Sequence, residues 1–226
     1  MKTIGICIPT IEGGVVCHQE IGREATRRGI SHPEIVTHTP LYAGIKQAVK
    51  SNSFDSLSTV LSDSINRTAK AGAEFAIIPS NTPHIVYDET VAKSAIPVLS
   101  ILEVSAEHCV KQGYKRVGIL GTTPTVERRI YDGPLGRRII ATVYASPADQ
   151  EFVHDKIQNE LICGMFRDDT RERLVQIAKQ LAAECDAIIL GCTELPLVMT
   201  EENCQARCVD TTRLLSHAAL DLAVQE

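Results

Sequence analysis

Two stretches of this sequence have the same build, and together they decide the fold. FAIIPSNTPH spans Phe75–His84, and AIILGCTEL spans Ala187–Leu195. Each begins with an apolar run typical of a strand covered on both faces, and each continues with small polar side chains. Ser80 and Cys192 hold the same place in the two stretches, 112 residues apart. The pattern indicates that each half of the chain delivers one small reactive side chain at the end of a buried strand.

A second pair of matching segments supports a duplication. KTIGI at Lys2–Ile6 recurs as KRVGI at Lys115–Ile119, a spacing close to half of the 226 residues. Short β-branched runs also alternate with longer amphipathic stretches, which is typical of α/β proteins. We therefore predict two pseudo-symmetric three-layer α/β domains with parallel central sheets. Residues 1–100 plus 206–226 are expected to form the N-terminal domain and residues 101–205 the second.

The same periodicity predicts individual elements. Eight strands are expected, at Thr3–Ile8, Glu34–Thr37, Phe75–Ile78, Val98–Leu99, Arg116–Leu120, Ile139–Val143, Ala187–Leu190 and Arg207–Val209. Five helices are expected, at Ser56–Ala71, Val104–Gln112, Gln150–Cys163, Thr170–Glu184 and Thr211–Val224. Asp149 and Asp210 precede the third and the last of these helices, and both are predicted to be N-caps.

Composition excludes several classes of function. The formal net charge is −5, aromatic residues make up 4% and tryptophan is absent, so binding of nucleic acid is not expected. No apolar run reaches the length of a membrane span, and Pro9 and Glu12 interrupt the early apolar segment where a signal peptide would lie. The eight cysteines are then expected to stay reduced in the cytoplasm. Cys204 and Cys208 lack neighbours at zinc-site spacing, so no metal site is predicted.

The duplication also predicts where chemistry occurs. Ligands of open parallel sheets bind beyond the carboxyl ends of the strands. Ser80 and Cys192 occupy equivalent strand ends, which predicts an active site in an interdomain cleft with one reactive group on each wall. Inverting a carbon requires removal of its proton on one face and return of a proton on the other, and such a cleft supplies this geometry.

The residue types beside these positions suit proton transfer at an amino-acid α-carbon. A thiol can be tuned towards the working pH by nearby donors, and fixed donors can hold the substrate carboxylate in the transition state. Asn81, Thr82 and Thr193 are donors of this kind. The sequence contains no phosphate-binding glycine motif and no pattern of a pyridoxal-phosphate lysine, so a mechanism without a cofactor is expected.

Four motifs resemble the aspartate/glutamate racemase family. They are SNTPH at Ser80–His84, GTxxT at Gly121–Thr125, LGCTE at Leu190–Glu194 and DTT at Asp210–Thr212. Glutamic acid in GCTE, where glutamate racemases have histidine, looks more like the aspartate and broad-spectrum enzymes. The resemblance implies cofactor-independent racemisation of a small amino-acid or dicarboxylate substrate by a homodimer with two α/β domains.

The resemblance also assigns roles to individual residues. Cys192 takes the place of the thiol base, and Ser80 stands at the usual position of the opposing cysteine. The residues that it places around the substrate are Pro9, Thr10, Asn81, Thr82, Thr122, Thr125, Thr193 and Glu194. His84, one turn beyond Ser80, is expected either to tune Ser80 or to be structural.

Two departures from the family pattern keep alternatives open. A serine hydroxyl is a far weaker base than a tuned thiol, so racemisation is expected to be weakened or directional. Residues 42–58 contain no arginine, and Ile162 and Cys163 stand near the expected place of a lysine, so specificity for aspartate is left open. A decarboxylase of malonate-type substrates that uses one cysteine is the alternative enzyme. A protein that binds an amino acid without turning it over is the alternative outside enzymes.

Overall fold

The computed structural model describes residues 1–225, which form two compact units. The first comprises Met1–Val104 together with the chain from Thr212 onward, and the second comprises Ser105–Thr211. Each unit contains its own four-stranded parallel sheet. Within the described residues, none of the helices has the length and apolar character needed to cross a membrane.

The first unit winds helices around the sheet β2-β1-β3-β4. Its strands are β1 (Ile4–Cys7), β2 (Ile35–His38), β3 (Phe75–Ile77) and β4 (Val98–Leu99). Its helices are α1 (Ile11–Arg27), α2 (Tyr42–Lys50), α3 (Phe54–Lys70), α4 (Tyr87–Lys93), the start of α5 (Ile101–Lys111) and nearly all of α11 (Thr211–Val224).

The second unit has the sheet β6-β5-β7-β8. Its strands are β5 (Arg116–Gly121), β6 (Ala141–Tyr144), β7 (Ala187–Gly191) and β8 (Cys208–Asp210). Its helices, after the end of α5, are α6 (Thr123–Glu127), α7 (Asp132–Gly136), α8 (Pro147–Asn159), α9 (Asp168–Ala182) and α10 (Glu201–Cys204).

The two sheets have the same strand order, so β1 corresponds to β5 and β3 corresponds to β7. The predicted class, two α/β domains with parallel sheets, is confirmed. The central strands are fully buried because their continuous apolar runs are covered on both faces: all residues of β1, β3 and β7 are buried. Each buried Ile or Leu contributes about 1.5–3 kcal/mol relative to an exposed position.

Helices α1 and α2 were not among the predicted helices. The first turn of α1 contains Gly13 and Gly14, and glycine is a poor helix former. The fold nevertheless requires a glycine here, since a Cβ on Gly14 would lie 2.4 Å from the Ile8 side chain. The segment after Pro9 and Thr10 is therefore the beginning of a 17-residue helix.

Two local predictions were wrong. Strand β6 begins at Ala141, not Ile139, because Ile139 has a φ of +60° and terminates the preceding helical segment. Its amide donates to the Gly136 carbonyl, and the next amide, of Ile140, donates to the Leu135 carbonyl. Asp149 is not an N-cap, because α8 begins earlier at Pro147 and the Ser146 hydroxyl accepts the Asp149 amide.

Candidate active site

A polar turn follows β3 at the carboxyl edge of the first sheet. Ser80 is half-buried, and Asn81 is buried. Thr82 begins a short 3-10 helix, Thr82–Val86, whose second residue is Pro83. The fixed φ of proline suits the first turn of a helix, so the apolar strand passes directly into a turn that presents polar side chains.

His84 fixes this turn through both of its ring nitrogens. The amide of Ile101 donates to Nε2 over 3.3 Å, so Nε2 is the unprotonated nitrogen. The proton of the neutral ring is therefore on Nδ1, which donates to the Ser80 carbonyl over 2.9 Å. Burial lowers the pKa of His84 to about 4. His84 is thus a neutral structural group that holds the backbone of Ser80. Both of these hydrogen bonds go to main-chain groups, and neither goes to the Ser80 hydroxyl.

Pro9 and Thr10 lie at the same edge, between β1 and α1. Strands β1 and β3 are parallel neighbours, with Ile6 opposite Ile77, so the residues that follow them emerge side by side. The Thr10 carbonyl accepts the Gly14 amide over 3.2 Å at the start of α1. The fold of the first unit therefore brings Pro9, Thr10 and the Ser80 turn to one edge.

Cys192 follows β7 at the corresponding edge of the second sheet and is half-buried. Its Sγ donates to Glu194 Oε2 over 2.8 Å, and the Thr193 hydroxyl donates to the same oxygen over 2.7 Å. Glu194 is 1% exposed. Among the described residues, its second carboxylate oxygen, Oε1, has no hydrogen-bond partner. The three residues form a compact cluster in which a thiol directly contacts a carboxylate.

The surroundings of Cys192 raise the pKa of its thiol well above the usual value. Burial is the largest cause, and the negative charge of Glu194 adds to it. Backbone amides of Glu194 and Thr193 donate to the sulfur and act in the opposite direction. The expectation that neighbouring donors tune this thiol towards the working pH was wrong for the resting site, because burial and Glu194 dominate. Cys192 therefore rests as a protonated thiol.

Thr122 and Thr125 follow β5, whose carboxyl end lies next to that of β7 within the second unit. Gly121 at the end of β5 is opposite Gly191 at the end of β7. A Cβ on Gly121 would lie 3.0 Å from the Gly191 carbonyl and 3.2 Å from the Thr125 methyl group, so glycine lets the threonine pack over this edge. The hydroxyls of Thr122 and Thr125 are 3.1 Å apart.

Two residues of α8 support this loop and were missed in the sequence. Gln150 Nε2 donates to the Gly121 carbonyl over 2.9 Å, and His154 Nδ1 accepts the Thr123 amide over 3.1 Å. They are four residues apart and therefore share a helix face. The four-residue spacing could have indicated that both side chains point the same way. We predicted a helix from Gln150 but not which of its faces packs against the sheet.

The carboxyl end of β8 lies at the same edge as Cys192. Asp210 ends this strand opposite Leu190, and the Thr211 hydroxyl donates to the Leu190 carbonyl over 3.2 Å. Asp210 immediately precedes α11, and its role as the N-cap stays a prediction. The DTT motif is thereby placed next to the strand that delivers Cys192.

Comparisons with known proteins agree on one family. The sequence model of the family described as Asp/Glu/Hydantoin racemase matches residues 4–219. The broad specificity amino-acid racemase RacX of Bacillus subtilis strain 168 is 23% identical over 202 residues, 84% of this chain and 82% of RacX. A putative Asp/Glu racemase from Yersinia pestis has a TM-score of 0.90 and 27% identity, with 100% of both chains covered. A mutant of arylmalonate decarboxylase shares the fold, with a TM-score of 0.61, 15% identity and coverage of 98% of this chain and 93% of that one.

Proposed function

Because the chain belongs to the Asp/Glu/Hydantoin racemase family, we propose that it racemises an amino acid by cofactor-independent proton transfer at the α-carbon. The observation that carries the proposal is the contact of the Cys192 thiol with the Glu194 carboxylate at the end of β7. The name of RacX, a broad specificity amino-acid racemase, supports the same substrate class.

In the proposed mechanism, Glu194 controls the proton of Cys192. The thiol passes its proton to Glu194 Oε2, and the amides of Thr193 and Glu194 stabilise the resulting thiolate. The thiolate then removes the α-proton, and the electron pair of that C–H bond is delocalised into the substrate carboxyl group. On the opposite face the Ser80 hydroxyl gives a proton to the α-carbon and regains one from solvent, while Glu194 returns its proton to solvent. The inversion is then complete, Cys192 is again a thiol, and no bond forms between sulfur and carbon.

We assign the binding of the substrate to the polar residues at the two edges. Asn81 and Thr82 are proposed to hold the substrate carboxylate and amino group from one side, and Thr193 from the other. Thr122 and Thr125 complete the second side, and the backbone at Pro9 and Thr10 contributes to the first. Donors that are fixed by their loops stabilise the charge that develops on the substrate carboxylate.

Ser80 is proposed to act on the face opposite Cys192, and it makes the abstraction of the α-proton unequal for the two enantiomers. A serine hydroxyl remains un-ionised at neutral pH unless a base activates it. His84, the histidine nearest in sequence, contacts the Ser80 carbonyl instead. Abstraction by Cys192 is therefore expected to be faster than abstraction on the Ser80 side.

The test is exchange of the α-proton for deuterium, followed by NMR with both enantiomers of a panel of amino acids. Exchange should occur with at least one amino acid and should favour one enantiomer. Cys192→Ser should lower the rate by at least about 100-fold, the scale of a lost proton-transfer group. Cys185→Ser is the matched control, because Cys185 is a free cysteine of the same unit that precedes the start of β7, at the opposite end of the strand from Cys192. Lack of exchange with every amino acid would contradict the proposal.

A decarboxylase of malonate-type substrates is the second candidate, because the resting state of Cys192 suits it. A thiol that already carries its proton can protonate the carbanion left after loss of carbon dioxide, and no second thiol is needed. Release of carbon dioxide from substituted malonates, without α-proton exchange of amino acids, would favour this candidate over racemisation.

We further propose that the protein acts as a homodimer in the cytoplasm, as the family resemblance implies. Light scattering coupled to size-exclusion chromatography should give twice the chain mass of 24.7 kDa. Fractionation of cells that express the protein should recover it with cytoplasmic markers. A monomer mass or recovery with membranes would contradict the corresponding part.

A further inference from the structure

Resting on the proposed function, we propose that the substrate carries an apolar, uncharged side chain rather than an acidic one. Ile11, Leu41 and Tyr42 of the first unit are assigned as the residues that bind this side chain. They are called the apolar edge below.

The apolar edge lies on the same side of the first sheet as the Ser80 turn. Ile11 follows β1, Leu41 and Tyr42 follow β2, and Ser80 follows β3. The strand order β2-β1-β3 and parallel pairing bring all three strand ends out in one direction. Neighbouring strands are about 4.8 Å apart, so β2 lies about 10 Å from β3. A substrate held beside Ser80 can therefore extend its side chain towards the ends of β1 and β2.

Exposure of the apolar edge is high for large hydrophobic side chains. Leu41 is 79% exposed, Ile11 is 66% exposed and Tyr42 is 39% exposed. Leaving each such group in water forgoes about 1.5–3 kcal/mol of burial. Exposed apolar side chains grouped beside polar ones are typical of ligand-binding surfaces. An apolar substituent on the substrate would cover them.

The charged residues at this edge do not favour the binding of a dicarboxylate. The segments that follow the four strands, residues 8–15, 39–45, 78–86 and 100–104, contain no lysine or arginine. Their acidic residues are Glu12 and Glu103. Burial, with Arg67 nearby, lowers the pKa of His38 at the end of β2, which keeps this ring neutral. A second carboxylate on the substrate would therefore find no lysine or arginine in these four segments to pair with.

Lys46 is the nearest lysine along α2, one turn beyond Tyr42, and it is exposed. Its long and flexible side chain is the alternative partner for an acidic substrate. Lys46→Met removes that charge and keeps much of the stem. If the substrate is apolar, this change leaves the rate of its α-proton exchange unchanged. The proposal is overturned if the unmodified enzyme prefers aspartate and glutamate and if Lys46→Met lowers exchange with these two amino acids alone by tenfold or more.

The closing experiment ranks α-proton exchange across both enantiomers of leucine, methionine, phenylalanine, aspartate and glutamate. We expect kcat/KM for the best apolar amino acid to exceed that for either acidic one by at least about tenfold. This is the ratio expected when a single favourable contact with the substrate side chain is gained or lost. Leu41→Arg should shift this ratio towards the acidic amino acids by a similar factor. Ile139→Arg is the matched control, since it adds the same charge at an 89% exposed isoleucine of the second unit.

Each outcome decides one question. Faster exchange with aspartate, glutamate or a cationic amino acid overturns the apolar subsite and leaves racemisation standing. An unchanged ratio in Leu41→Arg overturns the assignment of Leu41. If α-proton exchange occurs with no amino acid at all, both the proposed function and the apolar subsite are contradicted.

Discussion

The Cys192 thiol donates to Glu194 Oε2 over 2.8 Å, and this carboxylate is itself almost completely buried. The pair holds a proton at the end of β7 next to the Thr193 hydroxyl, which donates to the same oxygen. A buried carboxylate in this place opposes ionisation of the thiol and at the same time offers a site for its proton. These two effects can be separated by mutation.

Glu194→Gln removes the charge and keeps the shape. Because the negative charge of Glu194 raises the pKa of Cys192, the variant should alkylate at Cys192 with a midpoint at lower pH. Its exchange rate should nevertheless fall by about 100-fold or more, since the proton acceptor is lost. Iodoacetamide labelling against pH, with Cys192→Ser to subtract the other cysteines, gives the first quantity. A midpoint that moves to higher pH would refute the electrostatic role of Glu194.

Ser80→Cys supplies a thiol on the side that lacks one. We expect α-proton exchange to rise for the enantiomer that the unmodified protein handles more slowly, so that the two rates approach each other. NMR exchange with matched L- and D-amino acids measures both. Ser80→Ala is the control, because it removes the hydroxyl without adding a thiol. Equal stimulation of both enantiomers would argue against the position assigned to Ser80.

His84 makes stability depend on pH. The folded protein keeps this ring neutral down to about pH 4, whereas an unfolded histidine takes up a proton near pH 6.5. The unfolded state is therefore favoured as the pH falls from 6.5 to 4, and the free energy of unfolding should decline by up to about 3 kcal/mol. Urea titrations at several pH values measure this.

The controls for His84 differ in burial. His84→Gln should be less stable at pH 7 but should show a flatter dependence on pH. His18→Gln, at an exposed position, should behave like the unmodified protein. An identical pH slope in His84→Gln and the unmodified protein would show that other groups cause the acid sensitivity.

Ile139 stores backbone strain at the end of a helical segment. A β-branched residue at φ +60° is unfavourable, and glycine at this position removes about 1 kcal/mol of strain. Ile139→Gly loses little packing because the side chain is 89% exposed, so thermal unfolding should shift upward by about 2–4 °C. Ile140→Gly should instead be destabilising, because Ile140 is 4% exposed. A lower melting temperature for Ile139→Gly would disprove the strain.

The strands were predictable because buried parallel strands are continuously apolar in sequence. The polar residues that follow two of them could be recognised for the same reason. Helix α1 was not predictable, since Gly13 and Gly14 look like a turn until the contact with Ile8 is known. The residues of the candidate site are assigned by motif and stay a prediction, whereas the pKa of Cys192 depends on burial, which the sequence does not contain. The support from Gln150 and His154 was missed for the same reason, because it depends on which face of α8 packs inward.

The shared strand order also makes the chain a natural template for loop exchange. The turns after β3 and β7 leave strands that hold the same place in the two sheets, although Cys192 directly follows β7 and Ser80 is the third residue after β3. A three-residue graft of Cys-Thr-Glu in place of Ser80–Thr82 would give the first sheet a thiol and a carboxylate beyond the corresponding strand. The two sheets thus share one strand order but carry different side chains beyond matching strands: Ser80, Asn81 and Thr82 after β3, and Cys192, Thr193 and Glu194 after β7.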